Sequence, residues 1–126
     1  MDTKPAEING TNIIGMFPGK FWGTQQDNPL IIGAHWDTTE TTVGFNDNGS
    51  GVTVVLEIAR ILVSCENFNP DHSIIFVAFG AEEDGAIGSQ EFINKILIPI
   101  FTRQNVKIQG AIILDTVFNF DSNKGL

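Results

Sequence analysis

Residues 30–63, LIIGAHWDTTETTVGFNDNGSGVTVVLEIARILV, contain the two patterns that decide the fold. Leu30 to Ile32 is a short β-branched apolar run that ends at a glycine, which reads as a buried strand. Further on, Val52, Val55, Leu56, Ala59, Leu62 and Val63 fall on one stripe of a 3.6-residue helix, and Val54, Ile58 and Ile61 widen it. Such a helix packs on a sheet. Asn48, Gly49 and Ser50 mark its start, because short polar side chains satisfy the free N–H groups of a first turn. Asn67 to Pro70 closes the connection that follows it.

Outward from this unit, Ile13 to Phe17, Ile74 to Phe79 and Ala111 to Leu114 repeat the strand pattern. Between the last two, Ser89 is positioned to cap a helix through Phe92, Ile93, Ile96 and Leu97, with Pro99 near its end. Strands alternating with helices imply an α/β fold: a mostly parallel central sheet, joined by right-handed crossovers, with helices on both faces. At 126 residues and 42% hydrophobic side chains, one domain spanning residues 1–126 is expected.

The charge balance narrows the partners. Fifteen acidic against seven basic residues give a net charge of -8, which disfavours nucleic acid and anionic membrane surfaces. No run approaches the roughly eighteen apolar residues of a membrane span, and the start MDTKPAEING lacks the layout of a signal peptide. A soluble chain is the expectation. The single cysteine, Cys65, can form no internal disulfide and reads as a small core hydrophobe on the helix.

Ligands of parallel α/β sheets gather at the carboxyl ends of the strands. His35 and Asp37 follow the second strand, Glu82 and Glu83 follow the third, Asp115 closes the fourth, and Asp47 opens the long helix. All six therefore converge on one edge. Five carboxylates crowded there repel one another, so the cluster calls for a cation or for protonation. An imidazole among carboxylates is a ligand set for zinc or a similar divalent ion, and a bridging carboxylate permits two metals about 3.5 to 4 Å apart. Calcium or manganese also suits such oxygen-rich sites. Consecutive Glu82 and Glu83 point in different directions as the chain leaves a strand, so one can hold a metal while the other acts as a base on water. Asp37, two residues beyond His35, can fix that imidazole's tautomer.

In this order and spacing, GAHWDT, GFNDNGSG, FVAFGAEEDGAIGS and ILD resemble the co-catalytic zinc exopeptidases of clan MH, a group of aminopeptidases, glutamate carboxypeptidases and glutaminyl cyclases. The similarity runs from about Asn12 to Asp115. It implies a peptide substrate and hydrolysis by a metal-activated water. It further implies that His35 and Asp115 hold one zinc, Asp47 bridges, Glu83 holds the second, Glu82 is the general base and Asp37 orients His35. A cis peptide is implied between Asp47 and Asn48, and a secreted or extracellular setting is suggested by the family's habits.

The pattern is incomplete in one respect. The family's second zinc takes a further histidine beyond the last strand, and the only other histidine here is His72. His72 precedes the third strand while Glu82 and Glu83 follow it, so roughly 20 Å of strand separates them. The chain is thus expected to be the amino-terminal portion of a catalytic domain with an incomplete second site. Two functions follow from different classes: a metallo-exopeptidase, or a catalytically weak metal-binding or interaction domain. An open fourth strand also offers an edge for self-association.

Overall fold

A computed structural model describes residues 8–101 and 105–118. Four strands, β1 (Ile13–Phe17), β2 (Leu30–His35), β3 (Ile74–Phe79) and β4 (Gly110–Ile113), form one sheet in the order β1-β3-β2-β4. β2 pairs in parallel with β3, from Leu30 opposite Ile74 to His35 opposite Phe79, and in parallel with β4 on its other side. The helical crossovers account for the parallel β2, β3 and β4, while β1, joined to β2 without a helix, pairs with β3 antiparallel and makes the sheet mixed.

Period-two alternation splits the core into two layers. Ile32, Ala34 and Ile74 face helix α1 (Gly49–Ser64) through Val55, with Val52, Ile58 and Leu62 packed alongside. Ile31, Ile75, Val77 and Phe79 face the opposite helical layer. That layer is α2 (Ile87–Phe92), which widens into a π-helical segment, Ile93–Phe101, containing Pro99. Phe92 and Phe101 anchor it, and Phe92 meets Phe79 edge to face with ring centroids 5.7 Å apart. Helices thus cover both faces of the sheet.

Several local expectations change. β2 runs three residues past Ile32 and ends on His35 itself, which fixes that imidazole on a rigid element. The second helix opens at Ile87 behind a left-handed Ala86 (φ 59°), and Ser89 lies inside it, donating its hydroxyl to the Ala86 carbonyl. On α1, Leu56, Ile61 and Val63 are exposed, because an all-round apolar helix can turn only one stripe to the sheet. Leu56 and Val63 border a groove along β1, the outer strand on that side. Cys65 is exposed at the helix C-cap rather than packed in the core.

Candidate metal centre

The carboxyl ends of β2, β3 and β4 lie side by side, and the candidate side chains gather around them. His35 is the last residue of β2 and is 5% exposed. Asp47 directly precedes Asn48, the N-cap of α1, across a cis peptide bond between Asp47 and Asn48. Asp115 lies two residues beyond β4, whose extension is held to β2 by the Leu114 N–H donating to the Gly33 carbonyl at 2.8 Å. Glu82 and Glu83 leave β3 through a left-handed Ala81 (φ 54°), which turns the chain sharply.

His35 Nε2 is 3.1 Å from Asp47 Oδ1 and 3.6 Å from Asp115 Oδ1. One donor atom from each of the three residues lies within 4.8 Å of the others. On the other side of the ring, Nδ1 is 3.2 Å from the Asp37 carbonyl oxygen and 3.6 Å from Asp37 Oδ1. A neutral imidazole carries one N–H. Both of its nitrogens here face acceptors, so one lone pair is aimed at oxygens whichever tautomer forms. With the proton on Nδ1, donated to Asp37, the Nε2 lone pair and two carboxylate oxygens converge on one point. A divalent cation there satisfies all three, and the donor set fits zinc.

Asp37 also holds the site's second limb. Its Oδ2 accepts the Glu83 backbone N–H at 3.0 Å, while its Oδ1, buried beside the imidazole, has no hydrogen-bond partner among the described residues. Glu83 falls outside the close triplet among the described residues. Its carboxyl is nevertheless held above the ordinary glutamate range by loss of surrounding water and by the negative charge of Asp47, then of Glu82 and Asp37, with His35 opposing. Glu82 diverges from its neighbour, bordering a cavity of about 330 Å³ together with His35 and Asp115. The rest of the cavity lining is mostly apolar and includes Phe79, Phe92 and Ile113.

His72 sits at the opposite end of the sheet. Its Nδ1 accepts the Asn28 N–H at 3.1 Å and lies 4.0 Å from the buried Asp27, which agrees with its exclusion from the cluster on distance.

A model of peptidase family M28 matches residues 12–124. The chain belongs to peptidase family M28. Among its M28 relatives, aminopeptidase YwaD of Bacillus subtilis (strain 168) is 40% identical over 85 residues, which cover 68% of this chain and 18% of that protein. Two solved structures match in fold. The aminopeptidase from Aneurinibacillus sp. strain AM-1 gives a TM-score of 0.70 at 32% identity, over 84% of this chain and 24% of that one. BSAP, a zinc aminopeptidase from Bacillus subtilis, gives 0.68 at 35% identity over the same shares. The M28 chain described here thus spans between 18% and 24% of the length of these relatives.

Sequence reasoning read Asn48 and Ser50 only as start signals of α1 and passed over Asn46. Asn46, Asn48 and Ser50 flank Asp47 at alternate positions, and each accepts a backbone N–H from residues 116–118. The alternation of short acceptors is visible in FNDNGSG, but their partner is a distant segment that no local pattern identifies.

Proposed function

We propose that the chain supplies part of the active site of a zinc-dependent, aminopeptidase-like exopeptidase. The observation that carries this reading is His35, whose Nε2 faces Asp47 and Asp115 while Asp37 backs its Nδ1. Membership of family M28 and likeness to a zinc aminopeptidase support the choice of reaction and metal. His35 and Asp115 would hold one zinc, Asp47 would bridge to a second, and Glu83 would belong to that second position. When bound, zinc supplies Lewis-acid polarisation and lowers the pKa of water toward about 7.

The remaining steps fall to the chain. Asp37 keeps the His35 proton on Nδ1, leaving Nε2 free to coordinate. Glu82, which lines the cavity together with His35 and Asp115, takes a proton from the attacking water as the water oxygen bonds to the scissile carbonyl carbon. The same carboxyl then returns that proton to the departing amine as the C–N bond breaks. Substitution Glu82→Gln removes the base with little change in shape. The expected result is retained zinc binding with amino-acid p-nitroanilide hydrolysis reduced by about 10²–10⁴-fold. An unchanged rate refutes the role of Glu82.

A second reading is a metal-binding module with little catalysis, favoured by the position of Glu83 outside the close triplet. Calcium and manganese are then further candidates for the oxygen-rich site. Single-turnover cleavage by the zinc-loaded chain refutes it.

A further inference from the structure

Asn48 is 1% exposed, and both polar atoms of its side-chain amide are hydrogen-bonded. Oδ1 accepts the Gly51 N–H at 3.1 Å and the Thr116 N–H at 3.2 Å, while Nδ2 donates to the Leu114 carbonyl at 2.9 Å. Capping α1 needs only the first of these bonds, and a serine would serve. The other two reach the residues on either side of Asp115. Asn48 itself adjoins Asp47, so one buried amide clamps the two carboxylate-bearing segments together. Leu114 is tied in turn to Gly33, two residues before His35, which connects the clamp to the third donor.

The surroundings preserve this arrangement. Ser50 Oγ donates to the Asn46 carbonyl at 2.6 Å and accepts the Val117 N–H at 3.1 Å, and Asn46 Oδ1 accepts the Phe118 N–H at 3.2 Å. Space for the amide depends on Gly51, where a Cβ would lie 2.4 Å from Asn48 Oδ1 and 2.7 Å from the Leu114 oxygen.

We propose that Asn48 is a positioning residue for the cation site: by bonding to Leu114 and Thr116 it sets the spacing of the Asp47 and Asp115 carboxylates before His35 Nε2, and hence the affinity and coordination geometry of the bound ion. This rests on the reading of His35, Asp47 and Asp115 as a cation site. The role differs from that of a ligand, since both polar atoms of the amide bond to backbone groups. It also differs from that of a helix cap, since its bonds to Leu114 and Thr116 contribute nothing to α1.

The experiment compares the parent chain with Asn48→Ser, which keeps a capping hydroxyl but cannot span to Leu114 and Thr116. Zinc affinity is measured by titration calorimetry at a temperature where circular dichroism shows each protein folded. Cobalt(II) is added separately and its visible absorption recorded as a signature of coordination geometry. The expected result is a zinc Kd weakened at least tenfold with an altered cobalt spectrum. Gly51→Ala, which retains Asn48 but displaces its amide, is the second variant and is expected to show the same two changes. Parent-like zinc affinity and cobalt spectrum in either folded variant overturn the positioning role and leave the cation-site reading intact. Absence of zinc binding by the parent overturns that reading, and this inference with it.

Discussion

Replacing Gly51 by alanine gives a stability test in which two physical effects oppose. Gly51 is the third residue of α1 and its φ is not left-handed, so alanine should favour the helix by about 1 kcal/mol on propensity alone. Against this, the new methyl carbon would meet Asn48 Oδ1 at 2.4 Å and the Leu114 oxygen at 2.7 Å. Neither can yield cheaply: one is backbone, and the other belongs to a buried amide held by three hydrogen bonds. Overpacking of this kind costs roughly 1–3 kcal/mol, and each buried hydrogen bond lost adds about 0.5–1.5 kcal/mol. The clash therefore outweighs propensity, and a net loss of about 2–3 kcal/mol is expected from these terms. At this chain length that lowers Tm by roughly 6–12 °C. Gly15→Ala is the control, because a Cβ there meets nothing within 4 Å. Thermal and urea unfolding followed by circular dichroism measure both. If Gly51→Ala is as stable as the parent or more so, the Asn48 amide is not fixed where the hydrogen bonds put it, and the clamp between Asp47 and Asp115 fails as an explanation.

Two further outcomes follow from groups at opposite ends of the sheet. Asp27 is 2% exposed and accepts both the N–H and the hydroxyl of Ser73, at 2.8 and 2.7 Å. Asp27→Ala orphans that buried N–H and should cost about 2–4 kcal/mol in urea unfolding, while zinc affinity stays within about twofold because the site is at the other strand ends. Parent-like stability would show that the Asp27 to Ser73 pair contributes nothing. At the site, Glu83 titrates above its ordinary range, which means its ionised form is disfavoured in the metal-free fold. The sign follows: mild acid relieves the metal-free chain at this group, and stability from that relief is lost as pH rises through the raised pKa. A cation binding near Glu83 must displace the proton, so zinc affinity should fall, with protons released on binding, as pH is lowered through that range. Calorimetry in buffers of different ionisation enthalpy reads the proton release, and a release on zinc binding that is the same in Glu83→Gln as in the parent contradicts it.

The framework was legible because it rests on patterns of period two and 3.6 joined by turn chemistry. β1 and β3 occur where the apolar runs place them, and the rule that ligands collect at carboxyl strand ends puts His35, Asp47 and Asp115 at one edge, where the structure has one donor atom of each within 4.8 Å of the others. What escaped depends on the backbone between those patterns. Ala86 starts α2 in a left-handed conformation without a side-chain cap, so a search for capping hydroxyls settles on Ser89 instead. Ala81 is also left-handed, and the turn it makes separates Glu82 at the cavity from Glu83 against Asp37. Alanine gives no signal for such a bend. The exposure of Leu56 and Val63 is set by which stripe of α1 meets the sheet, which composition cannot choose among nine apolar positions.

The most direct measurement is zinc content and zinc titration of the purified chain beside His35→Ala and Asp47→Ala. The geometry of His35 Nε2 between Asp47 and Asp115 predicts that the parent binds zinc, that each substitution removes at least one bound ion or weakens it by about two orders of magnitude, and that a given zinc concentration raises Tm more in the parent than in either variant. No zinc in the parent, or binding indifferent to both substitutions, would contradict it.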